Sequence, residues 1–528
     1  MKSILILGAS LMQGPAIRIA KAKGYRVYAA DGNPDAVHAR YADVFLHIDL
    51  KDKEALAKAA GDIEGLQGVF TAGTDFSASV AWVAEALGLP GLPYQVALDA
   101  SDKARMRERL RLGGVPVPAF AFGTIADDPL ILSAGLAPLP LVVKPVDNMG
   151  ARGCRLARSE PELKEAWADA IANSRSGRAI IEDYLEGPEF SIDALITEGQ
   201  VTLRGIADRF VVFEPFFVEM GHTMPSAYGQ EVIDELVAVF KAGVQALGIR
   251  NGAAKGDIKY TRQGAFVGEI AARLSGGYMS GWTYPYSSGI EVTAEAIDIA
   301  CGIKPAFSEA AQKHVCSERA WISIPGRVDR VYGLEEARGR AYVKDVFSRA
   351  SEGSRVVFPS NNVQKCGNIL ALAPGFKEAD EAAESAARSI LLRLTPGDPE
   401  TKAFLDGSSG IAGPDGSIWP PEAYEGLSAI SLSSLAKMPD MLKISDGTGS
   451  LSIAPLRGLE TELCRDWQGR SIAEALDAIE TFNGATIGLH GDTVFGASFW
   501  RALFRGGYQA GAWIIDSALA VPKAGQTG

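Results

Sequence analysis

The chain has 528 residues, 47% of them hydrophobic and 22% charged; these globular values exclude a disordered or fibrous protein, and the length calls for several domains. Its formal net charge of -12 excludes a general binder of nucleic acid or of an anionic membrane, both of which need clustered Lys and Arg, so small-molecule partners are expected. No apolar run reaches the ~20 residues that span a bilayer, and the opening MKSILILGAS is too short for a secretory signal, which points to a cytoplasmic protein. The five cysteines, Cys154, Cys301, Cys316, Cys366 and Cys464, are odd in number and widely spaced, indicating neither a disulfide framework nor a zinc site.

The first elements alternate. SILILGAS reads as a buried strand, GPAIRIAKAKG as an amphipathic helix closed by Gly24, and RVYAADGNP as a strand ending in a turn. GVFTAGTD and SASVAWVAEALG repeat the pattern, so an α/β domain with a doubly wound parallel sheet is expected over residues 1–100. The turn from Gly8 to Gly14 lacks the middle glycine that lets a backbone approach a pyrophosphate; Asp31 at the end of the second strand could hold a ribose, but acids are common in such turns.

DASDKARMRERLRLGG follows as a helix carrying Lys103 and stopped by Gly113 and Gly114. PLVVKPVDNMGARGCRLA then gives a strand with Lys144, a loop with Gly150 and Gly153, and another strand. A lysine on a strand entering a glycine loop aims fixed positive charge and bare N–H groups at phosphate oxygens, although an exposed hairpin with a surface lysine would look alike. AIIEDYLEGPEFSIDALIT adds a strand with Glu182, a turn, and a strand opening on Glu189. NGAAKGDIKYTRQGAFVGEIAARLSGG supplies a hairpin whose acids are Asp257 and Glu269; strand alternation predicts that Glu269, Ala271 and Arg273 share one face. Oxygen ligands from two adjacent strands suit magnesium.

The order Lys103, Lys144, the loop from Asp147 to Gly153, Glu182 to Leu185, Glu189, Asp257, Glu269 and Arg273 resembles the ATP-grasp superfamily of ligases, from about residue 1 to about residue 395. Within it the chain is most similar to the carboxylate–amine ligases that include the L-amino-acid ligases, through FFVEMGHTMPSAYGQE, KGDIKYT and VVFPSNNVQKCGNILALAPGFKEADEAAESAARSI. The resemblance implies an N-terminal domain over 1–100, a linker helix and lid over 101–190, a catalytic α+β subdomain over 191–310 and a small β-rich subdomain over 311–397. Residues 398–528 form an extra C-terminal α/β extension outside the pattern.

It also implies roles. Lys103, Lys144, Asn148, Gly150, Arg152 and Gly153 would meet the ATP phosphates; Glu182, Asp183, Tyr184 and Leu185 would line the adenine, and Glu189 would take the ribose. Asp257 and Glu269 would hold one or two magnesium ions, and Arg273 would stabilise the phosphoryl group in flight. The substrates would be a carboxylate and an amine, with Gly276 and Gly277 bordering the acceptor pocket. Glu219 and His222 of FVEMGHTMPS could receive a substrate amino group or fix its carboxylate, or equally could only satisfy loop backbone. Many members read Glu-x-Asn-x-Arg, whereas here the middle position is Ala271, which puts the second magnesium in doubt. The expected activity is an ADP-forming ligase that makes an amide or peptide bond through an acyl phosphate. A carboxylase-like or purine-pathway enzyme and a non-catalytic ATP-binding regulator stay open as alternatives, and so does a homo-oligomer.

Trp282, Tyr284 and Tyr286 alternate and would either wall the pocket or pack in the core. Beyond residue 400, a Gly-, Pro- and Ser-rich stretch reads as a linker or long loop. GATIGLHGDTVFG, SFWRALFRGG and AGAWIIDSA then read as strand, helix and strand, with His490 and Asp492 either a polar site or a turn.

Overall fold

A computed structural model describes residues 1–310, 313–408, 410–412, 418–444, 451–483 and 493–520. It divides into two compact units, Met1–Glu318 with Ala371–Asp380, and Arg319–Leu370 with Glu381–Gly528.

The first unit opens with the expected parallel sheet. Strands β1 (Ser3–Leu7), β2 (Arg26–Asp31), β3 (Val44–His47) and β4 (Leu66–Phe70) run in the order β3-β2-β1-β4, all parallel. Covered faces explain the continuous apolar run of β1. Ile4 and Ile6 pack with Ile17 of helix α1 (Gly14–Ala22), while Leu5 and Leu7 pack with Leu56 of α2 (Lys53–Gly61) and Val83 of α3 (Ser77–Ala86). The glycine turn is filled by its own chain. Gln13 occupies the space beside Gly8 and donates from Nε2 to the Ala72 carbonyl at 2.5 Å, and Asp31 accepts from the Ala9 N–H at 2.8 Å.

Helices α4 (Tyr94–Ser101) and α5 (Lys103–Leu112) break at Asp102, whose side chain caps α5 by accepting from the Arg105 N–H at 3.0 Å. Next, β5 (Phe120–Thr124), β6 (Leu141–Pro145), β7 (Arg155–Ala157) and β8 (Arg178–Asp183) form an antiparallel sheet in the order β5-β8-β6-β7. Helices α6 (Pro129–Leu132) and α7 (Glu160–Ala172) contribute Leu130, Leu163, Ala166 and Trp167 to its core.

A larger sheet follows. Strands β9 (Glu189–Thr197), β10 (Gln200–Val212), β11 (Val218–Met224), β12 (Gly252–Thr261) and β13 (Gly264–Ala271) neighbour one another in the order β13-β12-β9-β10-β11. Phe190, Ile192, Ala194 and Ile196 of β9, with Ala254 and Ile258 of β12, pack against α5 and α8 (Gln230–Leu247). Strand alternation therefore gives Glu189, Ser191, Asp193, Lys255 and Asp257 to the opposite face. Trp282, Tyr284 and Tyr286 do not lie on a strand. The segment Met279–Ser288 is helical, and Tyr284 is buried where a Cβ on Gly205 would stand 2.6 Å from its ring.

In the second unit Gly326–Tyr332 pairs antiparallel with both Arg355–Val356 and Leu391–Leu394. AGAWIIDSA is not the expected strand but part of the helix Ala497–Ala520, which breaks at Gly506 and Gly507. A short apolar run cannot distinguish a buried helix from a strand by periodicity, and this helix is buried nearly all round. Its Phe499, Leu503, Phe504, Tyr508 and Ile515 share a core with Ile472 and Ile479 of the helix Ile472–Asn483. The boundary drawn at residue 398 falls inside this unit. Arg393 on the strand Leu391–Leu394 makes a two-pronged ion pair with Asp516 at 2.7 and 2.8 Å, and Trp513 donates to the Thr395 carbonyl at 2.9 Å. His490 and Asp492 lie outside the described residues. All five cysteines are free thiols.

Candidate active site

Two basic residues enter from α5. Lys103 sits in its first turn because the Asp102 cap starts the helix there, and one turn later Arg107 lies on the same face. The Lys103 ammonium donates to the Asn148 carbonyl at 2.8 Å and lies 3.7 Å from Glu269 Oε1. Arg107, fully buried, meets Glu182 Oε1 at 2.8 Å and donates to the Gly268 carbonyl at 2.7 Å. The other Glu182 oxygen holds Lys144 at 2.6 Å, so one buried acid on β8 fixes two bases. Burial alone would raise the Glu182 carboxyl, but Arg107 and Lys144 outweigh it and hold the group below its ordinary range. Glu182, expected beside the adenine, holds Lys144 through its carboxylate.

The loop between β6 and β7 is shaped by left-handed backbone at Gly150, Ala151 and Gly153. A Cβ on Gly153 would stand 2.7 Å from the Asn173 side chain, so the third of these positions requires glycine. Asn148 donates to the Asn173 carbonyl at 2.8 Å, Arg152 donates to the Met149 carbonyl at 3.0 Å, and Asp147 accepts from the Ser176 N–H at 2.7 Å. Cys154 at the end of the loop is pushed up to about 11 by burial, the neighbouring lysines notwithstanding. Past β8, Asp183 accepts from the Ala137 N–H at 2.9 Å, the Tyr184 hydroxyl donates to Glu214 at 2.8 Å, and Leu185 is half-buried.

The polar face of the larger sheet gathers the remaining acids. Asp257 and Glu269 are cross-strand partners in the register of β12 and β13. Arg209 of β10 meets Glu189 and Asp257 through Nη1, the latter at 3.1 Å, and Glu219 through Nη2 at 2.7 Å. Lys255 pairs with Asp257, the Ser191 hydroxyl donates to Asp257 at 3.2 Å, and Lys259 lies 3.6 Å from Glu189. Burial pushes Glu269 up, but Lys103, Lys255, Arg273 and Lys144 reverse the effect and hold it at about 2. Asp193, buried beside Ser275, is raised by desolvation. Arg273 lies past the end of β13 and donates to the Leu274 carbonyl at 2.9 Å. It borders a cavity of about 480 Å³ that Phe70, Leu92, Asn251, Leu274 and Ile299 also line.

His222 is fully buried. Its Nε2 pairs with the Thr283 hydroxyl at 2.9 Å and its Nδ1 stands 3.3 Å from Glu318 and 3.9 Å from Glu219. Gly277 has φ +60 with open space where a Cβ would stand, and Gly276 lies against Gly73. The structure thus brings Lys103 to Glu269, Lys144 to Glu182, and Arg209 to Glu189, Asp257 and Glu219. Sequence reasoning missed Arg107, Arg209 and Lys255, of which two carried a signal: Arg107 is i+4 from Lys103, and Lys255 is i+2 from Asp257 on a strand. Among the described residues no group of three or more His, Cys, Asp or Glu forms a metal cage. Two facing carboxylates instead fit magnesium, which completes its shell with water and substrate phosphates.

An ATP-grasp domain model matches residues 137–281, and L-amino acid ligase C-terminal domain 2 matches residues 320–395. The uncharacterized protein y4rH of Sinorhizobium fredii is 25% identical over 63% of this chain and 69% of its own length. Carnosine synthase 1 of Mus musculus is 24% identical over 58% of this chain, which spans only 40% of that relative. The crystal structure of an L-amino acid ligase from Bacillus licheniformis superposes with TM-score 0.65 and 22% identity, over 75% of this chain and 99% of the other. The chain thus carries an ATP-grasp domain followed by an L-amino acid ligase C-terminal domain 2, and the proteins it is similar to include carnosine synthases and L-amino acid ligases.

Proposed function

We propose that the chain joins a carboxylate to an amine, both amino acids or close analogues, with release of ADP and phosphate. A carboxylate is a poor acyl donor until its oxygen becomes a leaving group. In this reading the carboxylate oxygen bonds to the γ-phosphorus as the bond to the β–γ bridging oxygen breaks. The neutral amine, its ammonium proton lost, then attacks the carbonyl carbon, and the bond from that carbon to the phosphate oxygen breaks. No protein nucleophile is needed, so the work falls to alignment and charge neutralisation.

Lys103 and Lys144 take the phosphates, the Glu182 anchor fixing the second, and Arg273 meets the phosphoryl group as it moves. Tyr184 and Leu185 border the adenine and Glu189 takes the ribose. Magnesium, held by Asp257 and Glu269, would draw charge from the phosphate oxygens. Ala271 offers no oxygen donor, and Lys255 stands opposite it in register, so this reading assigns one magnesium. Glu219, backed by His222, receives the amine, while Gly276 and Gly277 leave room for it.

The observation that carries the reading is the in-register pair Asp257 and Glu269 with Lys103 and Lys255 beside it. The test is ADP release from Mg·ATP with pooled amino acids. ADP that requires one acid and one amine, and vanishes in Lys144→Ala and Glu269→Gln, is the expected result. AMP as product would overturn the acyl-phosphate route, and nucleotide binding without turnover would favour a regulator, the reading to which Ala271 also points.

A further inference from the structure

Arg209 has no part in the scheme above, yet it touches more of the proposed site than any other base. Its side chain is nine-tenths buried on β10, opposite Glu189 in the β9 register and opposite His222 in the β11 register. One guanidinium therefore spans three acids that the reading gives to three different ligands. Nη1 meets Glu189, placed at the ribose, and lies 3.1 Å from Asp257, placed at the metal. Nη2 lies 2.7 Å from Glu219, placed at the amine. Its Nε, buried in the sheet, has no hydrogen-bond partner among the described residues.

We propose that Arg209 is the positioning residue that couples nucleotide and metal occupancy to the amine subsite, covering Glu219 while the nucleotide is absent and releasing it when the nucleotide binds. The inference rests on the ligase reading. Arg209 shares Asp257 with Lys255 and Glu189 with Lys259, so its one charge is divided over three carboxylates and its hold on each is partial. A cation at Asp257 and a ribose at Glu189 take away two of its partners and bring a polyphosphate, a denser anion than a single carboxylate, to the same face. Glu219, no longer tied at 2.7 Å, is then open to an ammonium group. Binding is consequently ordered, nucleotide first and amine second. Because coupling is reciprocal, a change at Glu219 must be felt by the nucleotide.

This reciprocity permits a test that needs no knowledge of the amine. The affinity of Mg·AMPPNP, a non-hydrolysable ATP analogue, would be measured by calorimetry in wild type, Glu219→Gln, Arg209→Lys, Arg209→Met and the two double variants. Glu219→Gln, which frees Arg209 from one competitor, should tighten Mg·AMPPNP about five- to tenfold, a coupling of ~1 kcal/mol. The gain should fall below about twofold in the Arg209→Met background. Arg209→Lys keeps the charge but lacks the planar fork that reaches several acids at once, so it should keep the fold and lose the coupling. A merely structural role for Arg209 would lower thermal stability without abolishing the Glu219 effect. If Glu219→Gln leaves the affinity unchanged, or tightens it equally with and without Arg209, the proposal fails while the ligase reading stands. If wild type does not bind Mg·AMPPNP, both fall.

Discussion

Ion pairs are put to opposite uses in the two compact units. In the second unit Arg393 closes on Asp516 with both prongs and on the Phe482 carbonyl with a third contact, and Arg470 donates to the carbonyls of Arg388 and Ile390. Both cations are tied to fixed partners inside the unit. In the first unit bases are shared: Arg209 among three acids, Lys103 between a carbonyl and a carboxylate 3.7 Å away. Shared charges are exchangeable charges. The difference lies in how completely each cation is held.

The largest effect should come from opening the one closed point of the site. Glu182→Ala leaves Arg107 and Lys144 as uncompensated buried cations, which costs ~3–5 kcal/mol of stability and frees Lys144 from its aim. Thermal melts should fall steeply and ADP release should drop about a hundredfold or more in what remains folded. In the second unit Asp516→Ala strands Arg393, a cation one-quarter exposed, so about 2 kcal/mol is expected. ADP release per folded molecule should stay at the wild-type level, and a loss exceeding the unfolded fraction would erase the contrast.

A smaller effect comes from pH. Folding holds Glu269 at about 2, below its ordinary value of 4.5, so its ionised form stabilises the fold above pH 4.5 and that contribution is lost as pH falls from 4.5 towards 2. The melting temperature of wild type should decline more steeply over this interval than that of Glu269→Gln. Smallest of all, Lys402→Ala removes an exposed i,i+4 pair with Asp406 and should change stability by less than ~0.5 kcal/mol. A larger change would mean that exposed pairs also belong in the comparison.

Much of this was legible in the sequence. The parallel sheet follows from the strand–helix alternation of the first hundred residues, and the facing of Asp257 and Glu269 follows from a hairpin with acids near matching positions. Arg209 was not legible, because QVTLRGIADRFVV carries two other arginine or aspartate positions and nothing local distinguishes the one that the β9–β10–β11 register places among acids. The double role of Glu182 was equally hidden, since its second partner, Arg107, stands 75 residues upstream on a helix. Helicity in AGAWIIDSA escaped because burial on all sides erases the amphipathic period.

The glycines at 73 and 276 carry a consequence of another kind. A Cβ on Gly73 would stand 3.0 Å from the Gly276 Cα, while Ala72 and Leu274 form a parallel bridge, so two bare backbones touch where the segment after Arg273 meets the end of the opening sheet. The opening module supplies no side chain to the proposed chemistry, yet it sets the height of the floor beneath it. Its exchangeability among homologues is therefore limited by backbone fit: a chimera that grafts a foreign first module must match a pair of glycines in two distant stretches of chain, and recombination that separates them would leave every catalytic residue in place above a displaced floor.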